Sequence, residues 1–152
     1  MYEKLIRENK HLKIREIDMS IKGLYKNGVI GISSRIDTNA ERTCILAEEI
    51  GHHETSYGNI LNQKDIVSVK QEKRARRRAH DLLIEVNELL AAYKAGCRNR
   101  YEVAEFLNIT EQFLEEAYAE MKERYGMYLD TEEYIIYFEP IAFMRKFKTK
   151  EE

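Results

Sequence analysis

The sequence has no tryptophan, a single proline and only two cysteines, Cys44 and Cys97. Two cysteines build no disulfide framework and fit a reduced, cytoplasmic protein. One proline and seven glycines, with no low-complexity stretch and no fixed-period repeat, exclude a fibrous or disordered chain. No apolar run approaches the roughly 20 residues that a membrane helix needs. Met1-Tyr2-Glu3-Lys4 leads into a polar helix, so no signal peptide is expected. Neither sign of charge dominates: 25 Lys and Arg face 27 Asp and Glu, a net −2, which is not the balance of a bulk nucleic-acid binder. What is present is a globular composition, 43% hydrophobic and 34% charged over 152 residues. That suits one ordinary domain, or a small domain with an appendage.

The pattern predicts a short helix over 2–10, with Leu5 and Ile6 as its apolar contacts, then a strand-like run through Leu12, Ile14 and Ile17. Asn27-Gly28, between Gly23-Leu24-Tyr25 and Val29-Ile30-Gly31-Ile32, is a strong hairpin signal. Thr38-Asn39-Ala40-Glu41 has the form of a capping box and opens a helix that runs to about Glu54. Gly51 lies inside that helix, where it costs about 1 kcal/mol relative to Ala, so a packing or functional reason is expected for it. Residues 55–59 read as a loop. Helices are expected over 65–84, 86–95 (stopped by Gly96), 101–107 and 110–125, the last two resembling a helix-turn-helix. Tyr134-Ile135-Ile136-Tyr137-Phe138 is a strand that ends near Pro140, and residues 148–152 are expected to fray.

The chemistry is concentrated in Leu46-Ala47-Glu48-Glu49-Ile50-Gly51-His52-His53. Residues four apart share a helix face, so Glu48 and His52 can hold one metal ion, and Glu49 would lie beside it as a base toward water. This is the geometry of His-Glu-x-x-His with Glu in first place. A third ligand must come from another element. Glu72 suits by arithmetic, because Ala75, Ala79 and Leu83 fall on its face, a small apolar face that would pack on a neighbouring helix. His80 is a weaker alternative that drifts off this face.

Plainer readings stand beside these. An acid and a histidine at this spacing occur on many solvated helices, with the histidine favoured by the helix dipole. His53 is either structural or a contact to substrate, and His11 is a surface residue. Cys44 shares the ligand face but reads better as a small buried hydrophobe. The basic run Lys73-Arg74-Ala75-Arg76-Arg77-Arg78 reads first as a solvated face, with phosphate binding or recruitment of an acidic partner as alternatives. The helix over 110–125 presents Glu111, Glu115, Glu116, Glu120 and Glu123, which is wrong for a major groove.

In their joint order these segments resemble the ImmA/IrrE family of zinc metallo-endopeptidases, particularly the short forms carried by prophages and integrative elements of Gram-positive bacteria. The likeness runs from Gly23–Ile32 through Glu48–His53 and Glu72, with Ala75, Ala79 and Leu82-Leu83, to Asn99–Leu107 and Thr110. It implies one Zn²⁺ per chain on Glu48, His52 and Glu72, with Glu49 as general base. It implies cleavage of a helix-turn-helix repressor encoded by the same mobile element. The substrate is expected as an extended strand beside Val29, Ile30 and Ile32, and His53 or Tyr57 as donor to the oxyanion. The family motif usually begins with His. Glu48 in that place makes the ligand set harder and admits another divalent ion.

The expected fold is α+β: a small antiparallel sheet packed with the metal-binding helix pair (1–84), a helical part (85–127), and a C-terminal strand and tail packed on the core (128–152). The alternatives are a protease-like protein that binds the repressor or another protein without cutting it, and a DNA-binding regulator. No membrane partner is expected.

Overall fold

The Thr38 hydroxyl accepts from the Glu41 backbone N–H at 3.2 Å and opens α2, Asn39–Thr55. Only half of the capping box forms, because the Glu41 carboxylate pairs with Lys22 instead of turning back to the cap. This computed structural model describes residues 1–55 and 65–147, the first four of the second stretch by backbone alone. Of the loop expected over 55–59, Thr55 is instead the last residue of α2, and the rest, like the expected frayed end at 148–152, lies outside those residues.

A short helix, α1 (Tyr2–Glu8), precedes a sheet of β1 (Lys13–Ile17), β2 (Gly23–Lys26) and β3 (Val29–Ser33). Asn27 and Gly28 both take positive φ, 51° and 75°, and close the β2–β3 hairpin as a two-residue turn. The strand order is β1-β3-β2, and β1 runs parallel to β3. The sheet is therefore mixed, which corrects the expected antiparallel one. The physical reason lies in β3. Its Ile30 and Ile32 are fully buried, and the central place pairs its backbone groups on both sides.

One face of α2 (Leu46, Ala47 and Ile50) is fully buried with these strands. Along its length α2 packs on α3 (Asp65–Leu83) through the expected small face, Ala75, Ala79 and Leu83. Gly51 marks the closest approach. A Cβ there would sit 2.2 Å from the Ala75 carbonyl oxygen.

Then follow α4 (Val86–Lys94), α5 (Arg100–Leu107) and α6 (Glu111–Tyr125). Asn99 caps α5 by accepting from Glu102 N–H, and Thr110 caps α6 by accepting from Phe113 N–H. The turn between them passes through Asn108 in the left-handed region. The C-terminal part is a three-stranded antiparallel meander, β4 (Tyr128–Asp130), β5 (Tyr134–Phe138) and β6 (Ile141–Arg145), where one strand was expected. β5 buries Tyr134, Ile136 and Phe138 on one face, while Ile135 and Tyr137 on the other are half-buried. One buried cluster extends from Tyr2 to Phe138 across the divisions drawn at 84 and 127. Among the described residues no helix is long and apolar enough to cross a membrane.

Gly51→Ala tests the helix contact. Alanine is the better helix former by about 1 kcal/mol, yet overpacking against a backbone carbonyl opposes it. A net loss of about 2 kcal/mol is expected, lowering Tm by roughly 5 °C for a chain this size. An unchanged or higher Tm would show that α2 and α3 do not meet here.

Candidate functional site

The close approach at Gly51 brings two side chains together across the helix pair. His52 Nε2 on α2 stands 3.6 Å from Glu72 Oε2 on α3. This is too long for a hydrogen bond. It matches the separation of about 3.4 Å that two nitrogen or oxygen ligands on one tetrahedral zinc would have. Glu72 lies at the rim, its side chain 64% exposed, while that of His52 is 29% exposed. The expected third ligand is thus in reach of the first helix, at the exposed end of the small face.

Glu48 is half-buried one turn before His52. Its carboxyl is raised above the usual range, first by burial, and also by the charges of Glu116 and Glu72; Arg76 and Lys22 oppose this. It lines a cavity of about 220 Å³ between α2 and the start of α6, with Lys22, Glu41, Cys44 and Thr110. Among the described residues no three His, Cys, Asp or Glu side chains stand together as a finished ligand set. The structure therefore pairs His52 with Glu72 and leaves Glu48 beside them.

Glu49 lies against β2. A Cβ on Gly23 would meet Glu49 Oε1 at 2.5 Å, so glycine lets the strand reach this carboxylate. Burial, then the charges of Glu48 and Glu72, push the Glu49 carboxyl up to about 7, against a backbone hydrogen bond from Tyr25. The charges of Glu48 and of the rim residue Glu72 act on half-buried Glu49, a field that favours a cation, and the nearby donors are hard oxygens with one imidazole. That set suits zinc or another divalent ion.

His53 is held by β2 as well. Its Nδ1 lies 3.0 Å from the Tyr25 hydroxyl, with the rings edge to face at 5.2 Å. Exposed His11 lies 6.4 Å from it, ring to ring. Tyr57 lies outside the described residues. Cys44 is buried and its thiol is pushed up to about 11 by burial, so it stays protonated, packed against Thr110.

The strand expected to receive substrate is corrected. Val29, Ile30 and Ile32 belong to β3, which has a neighbour on each side and no free edge. The free edges belong to β1 and β2, and it is β2 that carries Gly23 and Tyr25 against Glu49 and His53. Sequence reasoning missed Tyr25, although its place two residues after Gly23 on an alternating strand was a usable signal.

The arginine run meets a partner that sequence reasoning treated separately. Lys73 pairs with Glu123 at 3.3 Å, Arg76 with Glu116 at 3.7 Å and Arg77 with Glu120 at 2.9 Å. Arg78 pairs with Glu54 of α2. The acidic face of α6 thus neutralises the basic face of α3. His80 belongs to this interface and not to the ligand corner, with Nδ1 2.8 Å from Glu120 Oε2 and its ring against Phe113.

The Glu49 shift has a definite sign in metal-free protein. The folded chain holds a proton up to about pH 7 that the unfolded chain releases near 4.5. Stability therefore falls as pH rises through that window and the penalty is complete above it. With chelator present, Glu49→Gln should raise stability at pH 8 by about 1 kcal/mol, after allowance for solvent screening, and change little at pH 4.5. Equal gains in melts at both pH values would remove this assignment. Comparison with protein-family models, curated proteins and solved structures finds no match to the chain, so what the site does rests on its own residues.

Proposed function

We propose that the protein is a metal-dependent endopeptidase of the ImmA/IrrE type that cuts a helix-turn-helix repressor of its own mobile element and so relieves repression. The observation that carries this reading is the meeting of His52 and Glu72 at 3.6 Å beside the half-buried Glu49. Glu48, His52 and Glu72 would hold the ion. When bound, a zinc ion supplies Lewis acidity toward a peptide carbonyl and acidifies water. Glu49, anchored by the Tyr25 N–H, takes a proton from water on its carboxylate and passes it to the leaving amine nitrogen. The free edge of β2 offers main-chain hydrogen bonds to an extended substrate on the same side as Glu49. His53, fixed by Tyr25, donates to substrate from its other ring nitrogen.

A second reading, a protease-like protein that grips the repressor without cutting it, draws on Glu48. This carboxylate lines the cavity shared with Lys22 and Thr110 and forms no finished set with His52 and Glu72.

Elemental analysis separates the cases at the first step. One zinc per chain is expected, lost in Glu48→Ala and in His52→Ala. Glu49→Gln should keep the metal and the repressor complex while cleavage falls by at least about 100-fold. Cleavage undiminished in Glu49→Gln would remove Glu49 from the chemistry. No metal uptake, with repressor still bound, would establish the second reading.

A further inference from the structure

The β2 edge has two sides, and only one of them faces α2. A Cβ on Gly23 would meet Ile45 and Glu49, and the Tyr25 hydroxyl meets His53. Side chains alternate along a strand, so Leu24 and Lys26 point the other way. Both are exposed, Leu24 at 44%.

The register extends this outer face across the sheet. Leu24 lies opposite Gly31 and Lys26 opposite Val29 on β3. On the far side Gly31 lies opposite Arg15, and Val29 opposite Lys13, on β1. A Cβ on Gly31 would meet Ile17, so Ile17 covers the middle of the same face. The face thus has an aliphatic part, Leu24 and Ile17, and three exposed cations, Lys26, Lys13 and Arg15. Nearby Lys22, Arg35 and Arg42 pair with Glu41, Asp18 and Glu16. Lys26, Lys13 and Arg15 form no ion pair among the described residues. Lys26 and Lys13 flank Val29 with Cα atoms about 10 Å apart, two strand spacings, close enough for like charges to repel at low ionic strength.

A segment that adds to the β2 edge as a strand alternates in the same way. Half of its side chains turn toward Glu49 and His53. The other half stand beside Leu24 and Lys26 as cross-strand neighbours, where an opposite charge and an apolar contact are favoured. We infer that Leu24 and Lys26 set the sequence preference of the site, which takes an extended protein segment with an acidic residue beside Lys26 and an aliphatic one beside Leu24, two positions apart. The inference rests on the reading of β2 as the substrate edge and adds the class of sequence that the edge takes. Lys13 and Arg15, one and two strands further in, give the whole face the same sign. Nucleic acid is less well matched, because the face has no aromatic ring for a base to stack on and sets an aliphatic side chain beside its cation.

The test uses the full chain and fluorescein-labelled octapeptides of threonine that carry one aspartate and one leucine two positions apart. Both orders are made, since an antiparallel strand meets Lys26 first and a parallel one Leu24 first. Anisotropy should show saturable binding with Kd of about 0.1–1 mM, and amide shifts on binding should centre on β2. Lysine in place of the aspartate should weaken binding about 3- to 10-fold, a difference that shrinks as salt is added. In Lys26→Glu, a change at an exposed position, the order should invert and the lysine peptide should bind better, a result that loss of the fold would not give. Equal affinity for the acidic and basic peptides, or an order unchanged in Lys26→Glu, would overturn the inference and leave strand addition standing. Shifts centred on β1, or no saturable uptake by about 10 mM, would overturn it together with the substrate edge, while metal content and cleavage by Glu49→Gln judge the chemistry separately. Displacement of the acidic peptide by a short DNA duplex at micromolar concentration would overturn it in favour of a phosphate-binding face.

Discussion

The absence of one methyl group at Gly51 is the constraint on which the candidate site depends. Any larger residue would place its Cβ on the Ala75 carbonyl, and α3 would have to move outward. Side chains reach across a helix pair by fixed lengths, so an outward shift of even an ångström would part His52 from Glu72. The small residues of α3, Ala75 and Ala79, complete the same contact from the other side. Close packing here does more than bury area. It sets which polar groups at the rim can share one ion.

The second constraint is electrostatic. The basic face of α3 would repel itself if left alone, and the acidic face of α6 likewise. Their pairing converts two unfavourable surfaces into one interface. Single exposed ion pairs contribute little, and most of these are exposed. Glu120 differs, being only 14% exposed and accepting from Arg77, Arg124 and His80. Removing it would leave buried His80 without its partner, so it is the member of the ladder that ties α6 most firmly to α3. Glu116 of the same helix then adds to the field that raises Glu48. The placement of α6 and the protonation of the ligand corner are therefore coupled.

Much of this was legible in the sequence where the determinant is local. Thr38 and Thr110 cap helices because hydroxyls need only a neighbouring N–H. Asn27-Gly28 turns because positive φ is cheap for both. That Glu72 would face α2 followed from helical periodicity, and the structure brings it to 3.6 Å from His52. What was not legible is set by distant partners. Nothing in Lys13–Ile17 says that it will run parallel to β3, because that depends on which edge of the most apolar strand remains open. β4 and β6 escaped for a similar reason: each is short and gains its order by pairing with β5. An open edge was expected at β3 because it is the strand with the strongest pattern, yet strong pattern marks the centre of a sheet, not its rim. The basic run of α3 and the acids of α6 were each read against solvent, when each is the other's partner.

Several choices in this chain oppose stability, and they fall in one place. A glycine in mid-helix costs about 1 kcal/mol relative to alanine. Adjacent half-buried glutamates, Glu48 and Glu49, repel each other and a third at Glu72. An edge strand, β2, stands open beside them, where proteins ordinarily blunt such edges. Each has a plain account when taken singly. Structural ion networks also shift carboxyl groups, and glycine also serves packing. Taken together they occupy one turn of α2 and the strand against it; the α3/α6 interface has departures of another kind, the buried, unpartnered His80 Nε2, Tyr118 hydroxyl and Arg124 Nε. Several costs gathered within one turn of a helix and the strand beside it are what a functional constraint produces. That is the physical ground for proposing chemistry at the α2, α3 and β2 corner. A site that moves protons needs a group held near its switching point, and Glu49, its carboxyl pushed up to about 7 mainly by burial, is such a group.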